Sequence, residues 1–485
     1  MTLLLAVAIL LSIPVFVALL KGNERNRLRA YSGIALVPLL AGAPVQGYLY
    51  GWPLWHGTVL GFAVTFGDAL AIALLLTRRE RLKKQIFWPV FLFYGFSLFT
   101  SIFGSVNWTA TAFVWWQFAR MLLLFTVVAG EGHRLDVRNS LLTGLALGLF
   151  YQAAYVITQK LTGQIQANGT FASQNLFGMV LELSILPLVG AALGGYKNKF
   201  IVPGALAGLI CVAGTGSRAA TVFTGAAILG LLIASLVRQS TPRKMKAIGF
   251  AVLGLAIASP LALMTLNQRF EGGSYVTEED TRESFENAAR SMAADYPFGV
   301  GANMFVWVSI QQDYAERAGV SWLPQNRSKP VHNAYLLARA ETGWLGEVAI
   351  ILMLVVPLLT AFRTAFADRR NPTGELALGI SFALLTNIIH NNWEFDLHSA
   401  AVQSLLFLNF GLIAAMWRQT RTRDESLSDD VDGQSAQTRR AVTSPPVLPQ
   451  GGNRSRTSEG EGTRRAPPLV LDYGPQRSRN SDEDG

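Results

Sequence analysis

The chain has 485 residues, of which 51% are hydrophobic and only 15% charged, against about a quarter charged in an ordinary soluble domain, so a water-soluble surface cannot be built from it. The formal net charge of +9 belongs entirely to residues 1–417, because residues 418–485 carry 11 arginines and 11 carboxylates; a basic nucleic-acid-binding tail is thereby excluded. The single cysteine, Cys211, excludes an internal disulfide, a Cys-based zinc site and a Cys-x-x-Cys redox pair.

A bilayer core of roughly 30 Å needs about 20 mostly apolar residues to be crossed as a helix. Thirteen apolar runs are separated by charged punctuation: 2–20, 31–50, 58–76, 86–103, 111–129, 140–159, 174–194, 200–214, 219–237, 247–266, 343–362, 375–392 and 399–417. The first has no basic segment before it and no small-x-small cleavage site before Lys21, so it reads as a retained helix. The eighth is short for a full crossing. Alternate connections, from Lys21–Arg29 to Arg363–Arg370, contain 20 Lys and Arg, whereas the short connections between them contain only Lys160 and Arg218. Since positively charged loops stay in the cytoplasm, the N-terminus is expected outside and the C-terminus inside. No internal repeat is evident.

One outer connection, 267–342, is too long to be a simple turn. An amphipathic helix is expected in it, with Asp280 as cap, Glu283 completing a capping box, and Phe285, Ala288, Ala289 and Met292 on one face. Pro297 stops that helix, Phe298-Gly299-Val300-Gly301 makes a flexible turn, and a second helix starts near His332 and leads into the eleventh run. Residues 418–485 are too polar to bury a core and are expected to be disordered. The fold class predicted is an all-α polytopic transmembrane bundle of about 12–13 spans. Its membrane domain covers 1–417, including the large outer loop 267–342, and a disordered cytoplasmic tail covers 418–485.

Four groups of residues could carry chemistry. The first is Gly214-Thr215-Gly216-Ser217-Arg218, a turn at the outer end of the eighth run. Its glycines expose backbone N–H groups, and Arg218 stands at the next helix's N-terminus, where the dipole also favours anions. Its guanidinium suits a phosphate ligand and equally a side chain that snorkels to lipid phosphates. The second is the outer loop, with Arg269, Arg282, Arg290, Arg317, Arg327, Lys329 and Arg339 against ten carboxylates, a balance of −3. Any anion site there rests on selected arginines: Arg282 in the first turn of the amphipathic helix, and Arg269 at the membrane exit. The third is His332, in Pro330-Val331-His332-Asn333-Ala334-Tyr335, whose unperturbed pKa of ~6.5 suits proton transfer; a solvent-facing loop histidine is the plainer alternative. No pair of ligands there has zinc spacing, so neither a metal nor another cofactor is expected. The fourth comprises Asp68, Arg120, Glu182 and Glu347 at membrane depth, which either pair with one another or line a cavity or ion path.

In order along the chain stand a Gly-Ser-Arg turn between two runs, a long outer loop with Arg282 and Asp295-Tyr296-Pro297-Phe298-Gly299-Val300-Gly301, then His332-Asn333-x-Tyr335-Leu336 and Glu341-x-Gly343-x-x-Gly346. Over roughly residues 210–350 this resembles the O-antigen ligase and O-antigen polymerase superfamily of bacterial polytopic glycosyltransferases. The resemblance implies an inner-membrane enzyme of polysaccharide biosynthesis whose donor is a glycan on undecaprenyl pyrophosphate, presented at the periplasmic face. The acceptor is a hydroxyl, on a lipid A-core sugar in a ligase or on another lipid-linked repeat in a polymerase. The expected roles are His332 as general base, Arg218, Arg282 and more weakly Arg269 as pyrophosphate ligands, and Tyr335 and Glu341 as supports of His332. Direct displacement implies inversion at the anomeric carbon. A lipid-linked sugar transporter is the reading from a different class, favoured by the charges at membrane depth.

Overall fold

The computed structural model describes residues 2–78, 84–242, 244–246, 248–249, 275–323, 327–369 and 371–443. Nearly all of the tenth apolar run, Arg269 and residues 444–485 lie outside the described residues. In chain order, α1 (Thr2–Leu20) and α2 (Glu24–Leu36) precede a two-stranded hairpin, β1 (Gln46–Gly51) and β2 (Gly61–Thr65). There follow α3 (Phe66–Leu76), α4 (Trp88–Ser101), α5 (Trp108–Glu131), α6 (Leu135–Leu161), α7 (Gln174–Gly194), α8 (Ile201–Thr215) and α9 (Arg218–Arg238). The large loop carries α10 (Tyr275–Asp295), α11 (Phe305–Gln311) and α12 (Tyr314–Arg317), and the chain continues in α13 (Ala334–Ala367), α14 (Thr373–His390) and α15 (Ala400–Thr443). Eight of these are long and apolar enough to cross a membrane, α1, α5, α6, α7, α9, α13, α14 and the Ala400–Thr422 part of α15, and α3, α4 and α8 are shorter apolar helices. The chain is a multi-pass membrane protein with an all-α bundle.

The second and third apolar runs depart from expectation. Instead of two spanning helices they form α2, the hairpin and α3. Gly42, Pro44, Gly47, Gly51, Pro53, Gly57 and Gly61 break the helical pattern, so the apolar residues between them pair as antiparallel strands, with Gln46 opposite Thr65 and Tyr48 opposite Ala63. Thr65 then starts α3 through a reciprocal capping box with Asp68. Arg27 of α2 donates to the Thr77 carbonyl at the end of α3 at 2.9 Å, so the pair still returns to the side it left.

Basic residues of three of the alternate connections are paired with carboxylates. Arg27 meets Glu131, Arg134 meets Glu24 at 2.5 Å, and Glu375 receives both Arg238 and Lys244 at 2.6 Å. At the core, α7 and α14 pack so closely that a Cβ on Gly190 would lie 2.9 Å from the Gly379 Cα, the small-residue contact by which membrane helices approach. The charges at membrane depth are also paired: Asp68 with Arg120 at 2.8 Å, Glu182 with His390 at 2.9 Å, and Glu347 with Arg339 at 2.8 Å.

The large loop folds onto the bundle. Phe285, Ala288, Ala289 and Met292 of α10 are buried, as the amphipathic pattern requires, against Val300, Phe305, Tyr314 and Val331. The helix begins at Tyr275, which puts Asp280 inside it rather than at its cap. α15 runs on past Arg418, where disorder is expected from composition, as far as Thr443.

Candidate functional site

The two glycine-containing motifs of the loop meet each other. Gly343 lies within α13 at φ +70°, and this kink removes the local helical hydrogen bonds. The Pro297–Gly301 turn replaces them: Val300 N–H donates to the Ala340 carbonyl at 3.0 Å, Gly301 N–H to Glu341 at 2.9 Å, and Trp344 N–H to the Pro297 carbonyl at 3.2 Å. A Cβ on Gly299 would sit 2.3 Å from the Glu341 carbonyl oxygen, and one on Gly343 2.4 Å from that of Pro297, so neither position admits a side chain. The Glu341 carboxylate continues the clasp, accepting the N–H groups of Asn303 at 2.9 Å and Phe305 at 3.0 Å.

This clasp holds the segment that enters α13. Asn333 caps the helix, its side chain accepting from the N–H groups of Tyr335 and Leu336. Ala334 N–H donates to the Asn391 carbonyl at 2.9 Å, which fastens the start of α13 to the connection between α14 and α15. His332, the residue before the cap, therefore faces that connection. Its Nδ1 lies 3.2 Å from Glu394 Oε2, and its ring packs edge-on against Phe395 at 5.2 Å.

Glu394 is the residue on which the site converges. Its side chain is only 4% exposed, and besides His332 it meets Arg282 Nη2 at 3.5 Å and accepts from Asn175 Nδ2 at 2.6 Å. Asn175 in turn accepts from Ser217 Oγ at 3.3 Å. Ser217 is the N-cap of α9, directly before the half-buried Arg218, and the left-handed Gly216 makes the turn that places it there. Three segments distant in sequence, the Gly-Ser-Arg turn, the start of α7 and α10, are thus linked to the α14–α15 connection that faces His332.

Arg282 is the loop arginine that reaches this cluster among the described residues. Arg290 pairs with Glu286 at 2.5 Å, Arg317 lies over Tyr314, Arg327 stacks on Trp322 at 3.4 Å, and Arg339 holds Glu347. Tyr335 and Glu341, expected to support His332 directly, are engaged elsewhere. The Tyr335 hydroxyl donates to the Ile388 carbonyl at 2.7 Å, and Glu341 holds the loop backbone. The partner of His332 is Glu394, a residue that spacing along the chain does not single out. The available sign was Asn391-Asn392-Trp393-Glu394-Phe395-Asp396, two carboxylates in a connection on the side otherwise poor in charge.

Asp396 and His398, in the same connection, are neutral near pH 7. Burial, and then the charge of Glu394, push Asp396 up to about 8 against a smaller lowering by His390, while burial lowers His398 to about 4. A carboxylate facing Nδ1 keeps the proton on that nitrogen and leaves Nε2 with its lone pair, the arrangement of a general base. Among the described residues no three His, Cys, Asp or Glu side chains are grouped to hold a metal ion.

Residues 203–351 match the family model described as O-antigen ligase. That stretch runs from α8 through the Gly-Ser-Arg turn, Arg282, His332 and the Gly343 kink. A comparison with curated proteins finds no match.

Proposed function

Through residues 203–351 the chain belongs to the O-antigen ligase/polymerase superfamily, and from that premise we propose that it is an O-antigen ligase-like enzyme acting at the periplasmic face of the inner membrane. The family makes it a glycosyltransferase-type enzyme with lipid-linked glycan substrates. In our reading the donor is a glycan on undecaprenyl pyrophosphate and the acceptor a hydroxyl of a lipid A-core sugar. His332 Nε2 removes the hydroxyl proton as oxygen attacks the anomeric carbon. Glu394 holds the ring and stabilises the imidazolium that forms. The bond to undecaprenyl pyrophosphate breaks on the opposite face, giving inversion, and Arg218 and Arg282 bind the departing pyrophosphate. Pyrophosphate leaves readily once its charge is met by guanidinium groups, so the scheme calls for no metal. Arg269 keeps the weaker role of a third ligand. The basic end of the bundle faces the cytoplasm, with the N-terminus outside.

The observation that carries this reading is that Arg282, His332 and, through Asn175, Ser217 of the Gly-Ser-Arg turn meet at one buried carboxylate. Transport is less supported, because the acidic and basic groups at membrane depth are paired with each other. The test is an assay of purified protein with a lipid-linked glycan donor and a lipid A-core acceptor. Wild type should form a glycoside on the core, and His332→Ala and Arg218→Ala should lose it while folding normally. Full activity of both variants would refute the site. Extension of lipid-linked repeats without transfer to the core would make the chain a polymerase, and absence of any new glycosidic bond would favour transport.

A further inference from the structure

Asn175, the second residue of α7, sits between the two halves of the site. Its Nδ2 donates to Glu394 Oε1 at 2.6 Å, and its Oδ1 accepts from Ser217 Oγ at 3.3 Å. The orientation of the amide is dictated chemically, since an ionised carboxylate can only accept and must therefore face the NH2 group. Ser217 is bound on its other side to α9, where its Oγ caps Ala220 N–H at 3.4 Å. Ser217 and Glu394 are each 3% exposed and Asn175 is half-buried, so each bond is shielded from water at one end, which strengthens its hold on geometry.

We propose that Asn175 is a positioning residue that joins the phosphate-binding turn to the general base. The chain Ser217–Asn175–Glu394–His332 fixes the Glu394 carboxylate in the plane that presents His332 Nε2 to the acceptor, and ties that plane to the turn bearing Arg218. The inference rests on the assignment of His332 as base. It adds that donor site and base are one hydrogen-bonded unit, in which a residue that touches neither substrate sets the rate. The charged and titratable groups around the Asn175–Glu394 contact are Arg282 on α10, His332 before α13, Arg218 on α9, and His390 and Asp396 flanking Glu394. Glu182 of α7 is taken up by His390.

Two variants test this. Asn175→Leu is close in size and removes both bonds. It should lower kcat about 10–100-fold, as loss of an orienting partner does, and change the donor KM less than about threefold. Combined with Glu394→Gln it should add almost nothing, since residues that act through one another are not additive. Asn175→Asp keeps the shape. While it shares a proton with Glu394 it still donates, and once both carboxylates ionise they repel. It should therefore work at low pH and acquire an alkaline limb in its kcat profile that wild type lacks. Wild-type kcat and pH profile in Asn175→Asp, or losses that multiply in the double variant, would overturn the proposal. The parallel His332→Ala measurement separates the two layers. If it is active, the base assignment is wrong; if it is inactive while both Asn175 variants behave as wild type, only the coupling is wrong.

Discussion

Replacing Glu394 by glutamine removes one charge and almost no volume from the centre of the site. The carboxylate accepts from Asn175 Nδ2 at 2.6 Å, faces His332 Nδ1 at 3.2 Å and lies 3.5 Å from Arg282 Nη2. An amide has one acceptor end, so Asn175 and His332 cannot both keep their bonds as they stand, and one of them meets an NH2 group. Losing an orienting partner of this kind costs about 10–100-fold, equivalent to about 1.4–2.7 kcal/mol of the barrier. The missing charge has a second consequence. The imidazolium that forms as His332 takes up the hydroxyl proton loses its counter-charge, so the loss falls on kcat. Because Arg282 is 42% exposed, its weak ion pair with Glu394 adds little, and donor KM should stay within about threefold of wild type. Turnover in proteoliposomes over a range of donor concentrations, with a thermal melt to show that the variant is folded, measures kcat and donor KM. Turnover within threefold of wild type would refute the role given to Glu394.

Asp396→Asn should alter how stability depends on pH. Burial raises this carboxyl from 3.8 to about 8, so between those values the folded chain holds a proton that the unfolded chain lacks. Stability is fully present below pH 4 and falls through the window up to pH 8, by about 1.4 kcal/mol per pH unit from this group. The variant loses that slope, so its melting temperature in detergent should exceed that of wild type at pH 8 by more than at pH 5. Gly343→Ala forces a left-handed φ on a residue with a Cβ and drives that atom to 2.4 Å from Pro297. It should cost about 2–4 kcal/mol and expose the large loop to protease, whereas Gly225→Ala, with nothing within 4 Å, should leave both melt and digestion unchanged. Glu375→Gln leaves Arg238 and Lys244 buried without their counter-charge and should cost about 3–5 kcal/mol, read as a lower melting temperature.

The bundle and its two ends were legible because a bilayer imposes long apolar runs and because Lys and Arg sort between alternate connections. The face of α10 was legible for the same reason, since Phe285, Ala288, Ala289 and Met292 have helical spacing. The second and third runs were misread because hydropathy counts apolar residues and ignores the Gly and Pro between them, which here turn helix into hairpin. His332, Arg218 and Arg282 could be singled out as a histidine and two arginines in unusual places. Glu394 and Asn175 could not, because their partners are 62 and 219 residues away and exist only once the helices pack. Tyr335 and Glu341 stand near His332 in sequence, yet their bonds go to α14 and to the loop backbone. Proximity along a helix that kinks at Gly343 was a poor guide to proximity in space.

Arginine–glutamate pairs occur at both ends of this molecule, and their saturation separates two uses. At the basic end Arg238 is 1% exposed. It gives one bond to Glu375 and the rest to the carbonyls of Ala365, Asp368 and Asn371. Four of the five N–H donors of this buried guanidinium are thus taken, and its work is to hold the α13–α14 connection against α9. At the loop end the balance is reversed: Glu394 is buried and held by Asn175, while Arg282 is half exposed and meets it at 3.5 Å. A long contact on the open side of a fixed carboxylate is one that an arriving phosphate can take over at small cost. The net charge of +9 follows the same division. It sits in connections at the end where the arginines have partners, whereas the large outer loop is net negative. In the function proposed above, attraction of an anionic donor would therefore come from placed guanidinium groups, Arg282 beside the buried Glu394 and Arg218 at the start of α9, and not from bulk charge.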